Sequence, residues 1–338
     1  MPVTITDIAK LSNVSKATVS AVLNEKTGIS QATRDRVLDI VKKLNYRPNQ
    51  IARSLSSRQT KSIGLVIKEI DNPFFSKVMK GVFDTCERHG YTVLLGSSEL
   101  SPEQEVQSIT TLTGQRVDGL IISPLQGENV DFNYLSELLR EKYPLVMLGE
   151  VKNYTTNVVD INNFEAAYKA VCYLILQGHT KIACFAGPSY SAHSLNRLEG
   201  YRGALIDNNL SIRKEYILPV GSYIKDGYQA GKKLFSSSLD LPSAVFCYND
   251  LAAIGLINAL LELNIQVPEK VSVIGFDDID FGRSVKVPLT TVQVPAHKIG
   301  EKAANLLIKQ IDNRDKPLNK KVILDAKLVI RDSCARMV

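Results

Sequence analysis

The chain has 338 residues and a net charge of +6, long enough for a small domain plus a larger two-lobed one. No run approaches the roughly 18 apolar residues a membrane span needs, and the first eleven residues resemble neither a signal nor a transit peptide, so a cytoplasmic protein without membrane contact is expected. Five scattered cysteines without a Cys-x-x-Cys pair, and four scattered histidines, argue against a disulfide framework, a zinc site or a metal cofactor. The charge is unevenly spread. Residues 1–61 hold eleven Lys or Arg against four acids, a surplus of seven, which leaves −1 for the rest of the chain. A polyanion is therefore expected to meet the first sixth of the protein.

Thr6 and Asp7 are predicted to open a first short helix, Thr6 as its N-cap and Asp7 as an acid in the first turn, with Ile8, Ala9 and Leu11 apolar. Asn13 tolerates the left-handed backbone and suits the turn that follows. Ser15 is placed to cap a second helix, 16–23, whose inward positions are Val19, Val22 and Leu23. Two short helices joined by such a turn make a helix-turn-helix, whose second helix offers its N-terminal residues to the major groove: Lys16, Ala17, Thr18, Ser20 and Ala21. Ser30 caps a third helix, and Val37, Ile40, Val41 and Leu44 close an all-α three-helix core. Residues 49–58 are amphipathic if helical but too short to hold a helix alone in water, so they are expected to fold on DNA.

From Ile63 onward, apolar strand runs alternate with helical patterns. Strands are predicted at 63–67, 92–96, 119–123, 145–148, 158–161, 181–186, 216–219, 244–248, 271–276 and 290–294, with a last one near 327–331. Near-continuous apolar strands separated by helices mean buried, doubly wound parallel sheets, an α/β body. Ligands in such sheets lie beyond the carboxyl ends of strands. Those ends are polar or aromatic here: Asp71-Asn-Pro-Phe-Phe75, Ser123-Pro, Gly149-Glu150, Gly187-Pro188, Asn249-Asp250 and Asp277-Asp278.

The string Thr4-Ile-Thr-Asp-Ile-Ala-Lys-Leu-Ser-Asn-Val-Ser-Lys-Ala-Thr-Val-Ser-Ala-Val-Leu-Asn24 closely resembles the signature of the LacI/GalR repressor family. Leu44-Asn-Tyr-Arg-Pro-Asn49 and Ala52-Arg-Ser-Leu55 look like that family's hinge. The resemblance implies a helix-turn-helix domain at 1–48, a hinge and linker at 49–61, and a two-lobed, periplasmic-binding-protein-like effector and dimerisation domain at 62–338. Lobe 1 would take about 62–160 and 294–322, lobe 2 about 161–293 and 323–331. DNA contacts would come from Thr6, Ser15, Lys16, Ala17, Thr18, Ser20, Ala21 and Asn24 in the head, and from Asn49, Ala52, Arg53, Leu55 and Ser56 in the hinge. Leu55 would be the wedge pushed between base pairs in the minor groove. Ala21 departs from the family, many of whose members carry a longer polar residue there; alanine can touch a thymine methyl but donates no hydrogen bond.

The same resemblance implies an effector pocket built from Phe74, Phe75, Ser123, Arg197, Tyr223, Asn249 and Asp277, with Tyr223 stacking on the ligand. Asn249 and Asp277 are open to a plainer reading as caps of the segments that follow them. A ring and several polar groups suit a sugar or sugar derivative, or a base. The expected assembly is a homodimer on a pseudo-palindromic double-stranded operator, controlled by that small molecule, with control by a protein co-regulator the alternative. No cofactor or nucleophile signature is present, and adjacent carboxylates such as Asp277 and Asp278 point apart, so catalysis is not expected. A solute-binding protein would share the body but not residues 1–61.

Overall fold

The structure, a computed structural model, describes residues 3–23, 27–46, 59–126, 132–237, 240–313 and 319–337. They form two units, Met1–Thr60 and Lys61–Val338.

In the first unit, α1 (Ile5–Leu11), α2 (Lys16–Leu23) and α3 (Gln31–Lys43) bury Ile8, Ala9, Val19, Val22 and Val37. Thr4, not Thr6, caps α1. Asp7 stands three residues after Thr4 and closes a reciprocal capping box: its amide reaches Thr4 Oγ1, and Thr4 N donates to Asp7 Oδ2 at 2.9 Å. Thr6 lies inside the helix, half-buried, because no acidic residue is correctly spaced to serve it as a cap. Asn13 takes the expected left-handed conformation, φ 52°. Ser15 Oγ accepts from Thr18 N at 3.0 Å, and Ser30 caps α3.

The second unit contains two six-stranded sheets. In chain order its elements are β1 (Ser62–Ile67), α4 (Pro73–Arg88), β2 (Thr92–Ser97), α5 (Pro102–Gly114), β3 (Leu120–Ile122), α6 (Asn133–Arg140), β4 (Leu145–Met147) and β5 (Asn157–Ile161). The chain then builds the second sheet with α7 (Asn163–Leu176), β6 (Ile182–Ala186), α8 (Ala192–Asp207), β7 (Ile217–Pro219), α9 (Ile224–Ser237), β8 (Ala244–Cys247), α10 (Asp250–Glu262), β9 (Ser272–Asp277) and β10 (Thr290–Gln293). It returns through α11 (Ala296–Asp312) and β11 (Lys321–Leu324) and ends near β12 (Lys327–Val329).

The strand orders are β11-β5-β4-β3-β1-β2 and β12-β10-β9-β8-β6-β7. Every pair is parallel except β10 with β12. The central strands are short and buried, and apolar clusters cover both faces of each sheet, as parallel sheets require. The chain crosses between lobes after β5, β10 and β11, all toward one edge of each sheet. Helices α4 and α11 meet backbone to backbone at Gly81 and Gly300, where a Cβ would lie 2.0 Å from His297 O and Val78 O respectively. Sequence patterning missed β11. It is an edge strand, alternately exposed and half-buried, whose short apolar run Val322-Ile323-Leu324 is set between charged residues. Among the described residues no helix is long and apolar enough to cross a membrane.

Candidate effector site and DNA-reading head

The order of each sheet reverses beside its first strand: β1 sits between β2 and β3, and β6 between β7 and β8. Segments leaving β1 and β6 therefore diverge and open a crevice. A pocket lies there between the lobes. Lys68, Glu69, Asn72, Phe74 and Phe75 reach it from the first strand and the start of α4, Ser123 follows β3, and Asp160 comes from β5. The second lobe adds Tyr190, His193, Arg197, Ser222, Tyr248, Asn249 and Asp277.

Arg197 is the organising group. It is buried, stacks on Phe276 with Cζ 3.6 Å from the ring centre, and donates from Nε to Asn163 Oδ1 at 2.9 Å. Nη1 donates to Tyr248 O at 2.6 Å and to Asp277 Oδ1 at 3.3 Å, while Nη2 takes no part in these bonds. Burial pushes the Asp277 carboxyl up to about 6 against the pull of Arg197, the mark of an ion pair held away from water. Asp277 also has φ 113°, a conformation that favours glycine, and such strain is sustained only where surrounding bonds fix it. Asp278 turns away to Arg331, Arg283 and Gln293, so the two adjacent carboxylates do not share a ligand.

Other members differ from expectation. Asn249 lines the cavity, yet its amide is already engaged: Oδ1 caps α10 through Ala252 N at 2.8 Å, and Nδ2 donates to Ser222 O at 3.0 Å. The capping role that the sequence left open is thus present. Tyr223 is outside the lining; its amide bonds Asp226 and its side chain stands beside Glu69, while Ser222 takes the place at the wall. Tyr190 and Tyr248 supply the second lobe's aromatic surface instead. Sequence reasoning also missed Lys68, Glu69, Asp160, Asn163 and His193. Lys68 and Glu69 were visible as a charged pair directly after an apolar strand, the signal that singled out the other strand ends.

Burial pulls the Lys68 ammonium down to about 8, opposed by Glu105 and Asp160. Burial likewise works against the charge on Asp160, but His193, with Nε2 3.2 Å from Oδ2, keeps that carboxyl below its usual range. The lobes also touch directly, through Gln126 N to Tyr190 O at 2.8 Å and Lys77 Nζ to Asp280 Oδ1 at 2.9 Å.

A repressor named PurR from Haemophilus influenzae (strain PittEE) is 33% identical to this chain over 332 residues, 98% of each. The chain belongs to the LacI family. Residues 4–49 match the profile described as bacterial regulatory proteins, lacI family, and residues 171–334 match a periplasmic binding protein-like domain. A lac repressor dimer solved with operator and the anti-inducer ONPF is 25% identical, with TM-score 0.90, over 99% of this chain and 100% of that one. A LacI family regulator from Enterococcus faecium with bound ribose is 28% identical, with TM-score 0.72, over 82% of this chain and 100% of that one. The protein is accordingly a DNA-binding transcriptional repressor of the LacI family, with the helical head and two-lobed body of that fold.

In this LacI-family head, Lys16 and Ala17 are exposed on the first turn of α2, and Thr18, Ser20 and Ala21 are half-buried. Arg34 reaches back to Val22 O at 3.4 Å and ties α3 to the end of α2. Asn24, Asn49, Ala52, Arg53, Leu55 and Ser56 lie outside the described residues.

Proposed function

We propose that the protein binds a pseudo-palindromic operator as a homodimer in the cytoplasm, and that a small molecule of the sugar class, seated in the interlobe cavity, sets its affinity for DNA. The observation that carries this is Arg197: a buried guanidinium stacked on Phe276, fixed by Asn163, Tyr248 O and Asp277, with Nη2 left to a ligand. Carboxylates at 69, 160 and 277, cations at 68 and 197, and the rings of Phe74, Phe75, Tyr190 and Tyr248 surround one space. Mixed charges that nearly balance favour an uncharged or weakly charged polyol over a strongly anionic ligand, and the rings suit its apolar face.

On this reading residues 1–48 read bases, 49–61 form the hinge, and 62–338 sense and dimerise. The effector acts by favouring one angle between the lobes, and coupling of this kind is typically ~1 to 3 kcal/mol. The test is thermal unfolding with sugars, sugar phosphates, nucleosides and purine bases, since a ligand at one hundred times its Kd adds ~2.7 kcal/mol of stability. A sugar that stabilises the wild type but not Arg197→Ala, and that shifts binding to genomic operator fragments, supports the proposal. Stabilisation by a purine alone would replace the sugar class while keeping the site. No stabilisation by any compound would point to a protein co-regulator.

A further inference from the structure

Three carboxylates line the cavity, and two have basic partners: Asp277 has Arg197 at 3.3 Å, and Asp160 has the imidazole of His193 at 3.2 Å. Glu69 has none within ion-pair distance among the described residues. It is 4% exposed, its Oε2 accepts from Asn72 Nδ2 at 3.2 Å, and its Oε1 is buried without a hydrogen-bond partner. Ser222 and Tyr223 approach closely enough to favour its charge, yet neither reaches Oε1 with hydrogen-bond geometry. Neighbouring Lys68 draws chiefly on Glu105 and Asp160. A second buried atom in the same cavity, the Tyr248 hydroxyl, also lacks a partner. Glu69 is felt by Tyr190, Tyr223 and Tyr248, and Phe74 lines the space beside it.

A buried carboxylate with an empty oxygen is costly unless a donor arrives, and a cation compensates its charge where a neutral hydroxyl only satisfies its lone pair. Aromatic side chains line the same cavity, and a ring face attracts a cation. We propose that the effector is an aminated polyol, an amino sugar, whose protonated amine is selected by Glu69 in the cavity that Tyr190 and Tyr248 line. The proposal rests on reading the cavity as the effector site.

Calorimetric titration of the full-length protein separates the two claims. The probes are glucosamine, galactosamine and mannosamine, with their N-acetyl forms and parent sugars as controls. At least one free amine should bind ten times or more tighter than its acetylated and parent forms, and Glu69→Gln should erase that preference. Without ligand, Glu69→Gln should also raise Tm by a few degrees, because it removes the unpaired charge. Parent sugars binding as tightly as the amines would overturn the amine and leave the effector site standing. A fall in Tm would make Glu69 a structural residue and overturn its selective role. No binding by any of these sugars would overturn both readings.

Discussion

Lys68 shows how a single buried charge makes the body sensitive to pH. Its folded pKa lies at about 8, below the ordinary 10.5, because burial disfavours the ammonium. Below pH 8 both folded and unfolded chains carry the proton, and the fold bears the full cost of burying it. Between 8 and 10.5 the unfolded chain binds more protons than the folded one, so stability rises with pH, and above 10.5 the cost is gone. The difference corresponds to about 3 kcal/mol. Urea unfolding of the wild type and Lys68→Met should show the wild type gaining about that much on the variant from pH 8 to 10.5; a constant difference would mean that Lys68 is solvated. Individual residues were unevenly legible in the sequence. Arg197 and Asp277 were found because they sit in recognisable strings, and Asn249 was found with both of its readings. Glu69, Asp160 and His193 were not, since their roles depend on which partners the fold withholds or supplies.

Among elements, the crossing of α4 and α11 is set by two glycines. With a methyl group at either placed 2.0 Å from a carbonyl oxygen of the other helix, the helices must separate. Gly81→Ala should cost about 3 kcal/mol, the upper range for overpacking. Gly114→Ala, at the exposed end of α5 where a Cβ meets nothing, should instead gain up to about 1 kcal/mol. Equal effects in denaturant titrations would deny that backbone contact governs the first crossing. Strands buried on both faces were legible as apolar runs, and the partly exposed β2 and β12 were legible too. The half-exposed β11 was not, its short apolar run being set between charged residues, and the shift of the first helix cap from Thr6 to Thr4 reflects a choice between two threonines that only the position of Asp7 decides.

At the scale of the whole molecule, surplus positive charge is confined to residues 1–61, while the candidate effector cavity is lined by residues from Lys68 onward. Changes in the hinge should therefore separate the two activities. Leu55→Ala, by removing the proposed wedge, should weaken operator binding at least tenfold in gel-shift titration and leave ligand-induced stabilisation unchanged. Full operator affinity in the variant would remove Leu55 from the DNA-binding surface. About ten strands exceed one comfortable sheet, and the two-lobed plan itself was legible through the family resemblance. The exchange of segments was readable only in outline, because β5 and β11 each run slightly past their expected crossing.

Asn163, which anchors Arg197, stands in the first crossing between lobes, two residues beyond the end of β5. All three crossings leave toward one edge of each sheet, whereas β2 lies five strand steps from β11, about 24 Å at ~4.8 Å per step. The guanidinium thus stands beside the first crossing and far from the outer edge of the first sheet. If the proposed effector turns one lobe against the other about these crossings, the strands at that outer edge would travel furthest.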